Sequence, residues 1–198
     1  MTLHKPDGRI VEKGEPVRQR VLDGAERLLR SGKAEFSMRD LAAEAGVSFA
    51  TPFNQFGSKA GIMHALSGRR IETMTSRYAA ASPPANSARR VRLAVEVAVA
   101  VMLDEPAVNR AVMGSIGTAG PAQADALVRS TAYWERALEG EPGMPGPAEP
   151  FVKELPRQLA FAFRGALSFW SAGELPDAEL GPAALAIADT LMLHVAAR

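Results

Sequence analysis

Apolar residues recur at helical spacing over most of this chain, and the alternating β-branched runs of a half-buried strand are missing. The pattern predicts an all-α fold of about nine helices. Val21, Leu22, Ala25, Leu28 and Leu29 form an i, i+1, i+4, i+7, i+8 stripe with Arg20, Glu26, Arg27 and Arg30 around it, and Ser31-Gly32 ends this first helix. Ser37-Met38-Arg39-Asp40 then reads as a capping box: the hydroxyl accepts from the third helical N–H and the carboxylate sits at the positive helix end. Leu41, Ala42 and Ala45 give the short second helix its buried side, Gly46 can adopt the left-handed conformation that stops it, and Ser48 can cap the next helix.

A third helix is expected from about Phe49 to Phe56, with Phe49, Pro52, Phe53 and Phe56 as its apolar stripe. Pro52 lacks an N–H and lies past the favoured first-turn position, so the start of this helix should be distorted or shifted. The fourth runs from Lys59 towards Ala81 through Ile62, Leu66, Ile71 and Met74, and Ser82-Pro83-Pro84 stops it. Further helices are expected near 86–103, 105–114 and 121–140, followed by a Gly/Pro-rich loop over 140–147. The last two, about Phe151 to Ala172 with Pro156 near its start or kinking it, and about Pro182 to Ala197, are the most apolar and are joined by 173–181.

Composition narrows the function classes. No stretch approaches the ~20 apolar residues of a membrane helix, and the polar, mixed-charge start of the chain is not a secretory leader, so a cytoplasmic protein with no membrane partner is expected. Cysteine is absent, which excludes disulfides, thiolate nucleophiles and cysteine zinc sites. Residues 1–70 hold 12 Lys and Arg against 8 Asp and Glu, a balance of +4, whereas 71–198 come to −3. Between Ala45 and Ile71 no side chain is acidic, so phosphates can approach that segment without local repulsion.

A short capped helix, a glycine turn and a second short helix is the geometry that lays one helix in a major groove while the other braces it. Ser37 to Phe56 has these parts in order, with Ala42 and Gly46 small where two helices would cross and Leu41, Val47 and Phe56 available to fill between them. An ordinary helical hairpin has the same pattern.

Val21 to Lys59 resembles the N-terminal domain of TetR/AcrR-family regulators. The resemblance lies in Val21-Leu22-Asp23-Gly24-Ala25-Glu26-Arg27-Leu28-Leu29, in Phe36-Ser37-Met38-Arg39-Asp40-Leu41-Ala42-Ala43-Glu44-Ala45-Gly46-Val47-Ser48, and in Phe49-Ala50-Thr51-Pro52-Phe53-Asn54-Gln55-Phe56-Gly57-Ser58-Lys59. The chain departs from the family pattern at Pro52, where an aliphatic residue is usual, at Phe53, where tyrosine is usual, and at Gln55, where histidine or tyrosine is common. Phe53 has no hydroxyl to donate to a phosphate, although its ring can pack against sugar atoms.

The resemblance implies a flexible arm over 1–16, a DNA-binding domain over 17–58 and a helical effector-binding and dimerisation domain over 59–198. Arg39 matches a position reaching bases or phosphates, and Phe49, Ala50, Thr51 and Gln55 match recognition positions. Gln55 suits a bidentate pair with adenine, Thr51 offers a hydroxyl and a methyl, and Phe49 and Ala50 suit thymine methyls. Ser37, Ser48, Asn54 and Lys59 suit phosphates. Ser37 and Ser48 serve equally as caps, Lys59 as a solvated cation, and Phe49 as core.

The implied partners are operator DNA, a second copy of the chain through the last two helices, and an unidentified apolar or amphipathic small molecule; no cofactor or metal is expected. Met102, Met113, Trp134, Phe161 and Phe163 are of the kind that lines an apolar pocket, although such residues are more often plain core. A metabolic enzyme and a protein-binding adaptor are the rival classes, and no catalytic constellation stands out around His64 or His194.

Overall fold

The computed structural model describes residues 17–116, 125–139 and 150–196, all helices and connections among those residues. The expected arm over 1–16, the loop over 140–147 and the extreme ends of the seventh and ninth helices lie outside the described residues. In order, the helices are α1 (Val17–Arg30), α2 (Met38–Ala45), α3 (Ala50–Phe56), α4 (Lys59–Ala80), α5 (Ser87–Asp104), α6 (Pro106–Ser115), α7 (Ala126–Leu138), α8 (Pro150–Ala172) and α9 (Asp177–Ala196).

Two apolar cores divide the work. The first joins the α1 stripe, Val21, Leu22, Ala25, Leu28 and Leu29, to Leu41 of α2, Phe56 of α3 and Ile62, Met63 and Leu66 of α4, and it is closed from the far side by Val108 and Val112 of α6. The second, larger core is built by α4, α5, α7, α8 and α9 around Trp134 and Trp170, both fully buried. Trp134 stands edge-on to Tyr133 at 5.1 Å and to Phe163 at 5.6 Å, an arrangement that places positive ring edges against negative faces. At ~1.5 Å per residue, the 22 residues of α4 span about 33 Å, and this one helix belongs to both cores.

Where the cores meet, charge is buried. Glu26, placed by the sequence beside the α1 stripe, is only 7% exposed. It accepts from Arg70 Nη1 at 2.7 Å, and its other oxygen lies 3.3 Å from Arg69 and 3.4 Å from Arg30. Arg70 Nε donates to Asn109 Oδ1 at 2.7 Å, and Asn109 in turn donates to the Val101 and Met102 carbonyls at the end of α5. Arg30 also pairs with Glu105 at the start of α6. A buried charge is tolerated when paired and hydrogen-bonded; Arg70 is paired through Nη1 and Nε, with Nη2 left without a partner among the described residues, and the contacts tie α1, α4, α5 and α6 together.

Most element boundaries fall within a few residues of expectation, and α9 is the exception. Residues 177–181, expected to be connection, are helical, and Pro182 lies inside α9 rather than at its start. The reason is tertiary: Asp177 accepts from Trp170 Nε1 at 2.7 Å and Arg110 Nη2 at 2.5 Å, and Leu180 is fully buried against the body. These anchors hold the first turn helical although the Pro182 ring removes one backbone bond. α8 likewise continues through Pro156. Among the described residues no helix is long and apolar enough to cross a membrane.

Candidate nucleic-acid interface

The bracing helix α2 is fixed at both ends. Asp40 N–H donates to Ser37 Oγ at 3.2 Å while Ser37 N–H and hydroxyl donate to Asp40 Oδ2 at 2.9 and 2.7 Å, a closed capping box. These donors hold the Asp40 carboxyl below its ordinary pKa, the Ser37 backbone N–H contributing most. At the other end Gly46 takes φ 64°, and Val47 N–H returns to the Ala42 carbonyl at 3.0 Å. Gly46 is required for that φ and not for closeness, because a Cβ there would meet nothing within 4 Å. The close crossing is instead made by Gly24 of α1, whose Cβ would stand 3.2 Å from Ala45 Cβ.

The start of α3 is tightened rather than shifted, since the helix begins at Ala50, one residue from expectation. Phe49 is already in right-handed helical conformation, and Thr51 N–H bonds the Ser48 carbonyl at 2.9 Å in a tight first turn. Pro52 therefore stands where an N–H has little helical use, and its ring is buried beside Phe56. The expected four-residue stripe is corrected: Pro52 and Phe56 face the core, while Phe49 and Phe53 are 54% and 42% exposed and stack edge-on at 5.4 Å. The burial direction falls between Pro52 and Phe56, which leaves the other two rings on its flank.

Most of the expected contact residues are exposed. Ser48, Phe49, Ala50, Phe53, Asn54 and Gln55 are exposed, Thr51 is half-buried, and Ser37 and Arg39 are exposed on the neighbouring helix. The Arg39 guanidinium lies over the Phe49 ring at 5.7 Å, a cation–π placement that sets a positive group at the edge of α3. Ser48 does not cap α3 as expected: the cap position is Phe49, with no side-chain cap bond, and the Ser48 hydroxyl instead contacts that of Thr51 at 2.8 Å. Lys59 is placed differently: its ammonium donates to the Ala34 carbonyl at 2.6 Å, lies over the Phe36 ring at 4.8 Å and ties the start of α4 to the loop before α2.

Sequence reasoning missed Arg18, which bonds the Gln55 carbonyl at 3.0 Å and covers Phe56 at 4.3 Å, pinning the end of α3 from beneath. It also missed Gly61, where a Cβ would fall 2.1 Å from the Phe56 carbonyl oxygen; only glycine lets α4 approach α3 so closely. The glycine itself was the available signal, standing three residues after the Ser58 cap.

A second site lies on the body side of α4. An apolar cavity of about 240 Å³ is walled by α4, α5, α6, α7 and α8. Met102, Met113, Trp134, Phe161 and Phe163 all line it, as do Ile71 and Met74 of α4. Tyr133 also borders it, with its hydroxyl donating to the Ala94 carbonyl at 2.6 Å and its pKa pushed well up by burial, so it stays neutral. Among the described residues no group of three His, Asp or Glu side chains could hold a metal ion.

The fold and the exposed α3 define a helix-turn-helix head on an all-helical body. Residues 21–66 match the family model described as bacterial regulatory proteins, tetR family. A TetR transcriptional regulator from Rhodococcus sp. RHA1 has a similar solved structure, at 20% identity and a TM-score of 0.72, over 89% of this chain and 96% of that one. A protein of unknown function from the same organism is similar over 93% of this chain and 97% of its own, at 22% identity and a TM-score of 0.58. No curated protein matches the chain. Residues 21–66 thus match the tetR-family head, and the fold is similar to that of a solved TetR regulator.

Proposed function

We propose that this protein is a sequence-specific DNA-binding transcriptional regulator, a repressor that works as a homodimer and leaves a palindromic operator when a small molecule fills the body cavity. The observation that supports this reading is the exposure of Asn54, Gln55, Phe49 and Phe53 on the short α3, next to an α2 that is capped at both ends. Exposed aromatic rings cost free energy in a lone chain, and a duplex offers thymine methyls and sugars to cover them. Gln55 is the base reader, with Arg39 steering towards phosphate or base.

Dimerisation through α8 and α9 is supported by what their own chain leaves uncovered. Phe163, Ala166, Leu167 and Trp170 are absorbed by the body core, but Phe169 and Leu193 are 57% and 64% exposed. Leu185, Ile187 and Leu191 are only half-buried alongside them. A two-fold pair through this face presents two α3 helices to half-sites ~34–36 Å apart or a related spacing.

The effector acts by differential affinity. Ser67, Ile71 and Met74 on the cavity wall and Ile62, Met63 and Leu66 in the head core belong to the same helix, so a shift of α4 re-aims α3. Coupling of ~1–3 kcal/mol changes operator affinity roughly 5–150-fold. Selection of bound fragments from random DNA tests the reading: an inverted repeat should emerge, and Gln55→Ala should relax the preference at one position in each half-site. Equal losses on all sequences from Gln55→Ala would show that Gln55 does not read bases.

A further inference from the structure

The body cavity has an electrostatic asymmetry. Its wall is almost wholly apolar, yet it includes one guanidinium, that of Arg164 on α8, and no carboxylate among the described residues. Arg164 is half-buried, and its contacts there are soft: Nη1 lies 3.7 Å from Met113 Sδ and Nη2 lies 3.4 Å from the Met113 carbonyl. Neighbouring arginines are paired otherwise. Arg110 bonds Asp177 at 2.5 Å, and Arg129 bonds Glu72 at 2.6 Å and Asp125 at 2.7 Å. Burial holds the Arg164 pKa below its ordinary value, with no acidic neighbour opposing the shift. Trp134 also lines this space, and its indole N–H is buried with no acceptor among the described residues.

An apolar chamber that holds one guanidinium without a carboxylate partner among the described residues is complementary to a ligand with an apolar body and an anionic acceptor. We infer that the cavity binds a small monocarboxylic acid, its carboxylate on Arg164 and its hydrocarbon among Met102, Met113 and Phe163. This rests on the effector reading above and names the ligand chemistry of that site. A planar carboxylate matches the guanidinium fork, forming two parallel charge-assisted bonds. The volume of about 240 Å³ lies just below the ~300–1,000 Å³ of pockets for drug-sized ligands, which favours a compact acid over a long-chain or polycyclic one.

Calorimetric titration of the full chain with octanoate and with 1-octanol, its uncharged counterpart, tests the inference. Octanoate should bind about 10-fold or more tightly than 1-octanol, as expected for a charge-assisted pair. Arg164→Met should remove that advantage while leaving 1-octanol affinity within about 2-fold, and Arg164→Lys should retain part of it. Without ligand, Arg164→Met should hold or raise Tm, since it removes a half-buried cation lacking a carboxylate. Equal affinities for the two probes, no octanoate binding by the folded chain, or an unliganded Tm lowered by Arg164→Met would each overturn the inference. Octanoate binding that depends on Arg164 but leaves affinity for selected DNA unchanged would uphold the ligand chemistry and refute the release mechanism.

Discussion

Replacing Arg70 by methionine removes the centre of the buried polar chain between the two cores. In the intact protein Arg70 has 11% of its side chain exposed and Glu26 has 9%, and their contact of 2.7 Å is continued at 2.7 Å to Asn109. Removing one partner of a buried ion pair costs ~3–5 kcal/mol, because the other charge is left uncompensated. Here the second Glu26 oxygen keeps Arg69 at 3.3 Å and Arg30 at 3.4 Å. The expected cost of Arg70→Met is therefore reduced to about 2–3 kcal/mol, which for a chain of this size lowers Tm by about 4–12 °C. Urea unfolding of Arg70→Met, Glu26→Leu and the double variant measures it as a cycle. The double variant should be less destabilised than the two singles added together, by at least about 1 kcal/mol, because it leaves no widowed charge at this contact. Single effects below about 0.5 kcal/mol, the level of ordinary surface changes, or strict additivity would refute the reasoning.

Gly61→Ala should destabilise the head by about 1–3 kcal/mol, since its Cβ meets the Phe56 carbonyl, whereas Gly114→Ala, with nothing within 4 Å, should not; equal Tm values for the two would contradict the close approach of α3 and α4. Acid should weaken the protein through carboxyls held below their ordinary pKa: Asp40 by Ser37, Asp177 by Trp170 and Arg110, and Glu105 by Arg30. Because these folded-state values are depressed, their contribution is complete above the unfolded range near ~4 and disappears as pH falls through the folded values. Asp40→Asn and Asp177→Asn should each flatten the fall of Tm below pH 4, and an unchanged acid limb would exclude these two groups. If the proposed dimer forms through α8 and α9, Phe169→Glu should leave folded monomer in sedimentation, and a dimer that survives it would place the interface elsewhere.

The parts of the head that rest on local chemistry were legible in the sequence. Ser37 with Asp40, Gly46 and Pro52 each impose a backbone preference that acts within a few residues, and the structure honours all three. Legibility ended where distant residues decide. Glu26, Arg70 and Asn109 are brought together across 44 and 39 positions, and a charge beside an amphipathic stripe looks the same whether it meets water or a buried guanidinium. α9 starts early because Asp177 finds Trp170 and Arg110, while the visible proline pointed five residues downstream. The helical spacing of Phe49 and Phe53 could not say which side of a seven-residue helix the core would take. The five cavity residues were recognisable by type, but that they enclose one space is a property of how α5 to α8 pack.

The central claim is that α3 reads a duplex, and the affinity of the chain for a fragment selected from random DNA, measured across a range of salt concentrations, tests it most directly. If α3 reads bases, an inverted repeat should emerge, log affinity should fall linearly with log salt as phosphate contacts release counterions, and Gln55→Ala should diminish the discrimination against unrelated DNA. Failure to enrich any sequence, or binding equally tight to every duplex, would contradict it.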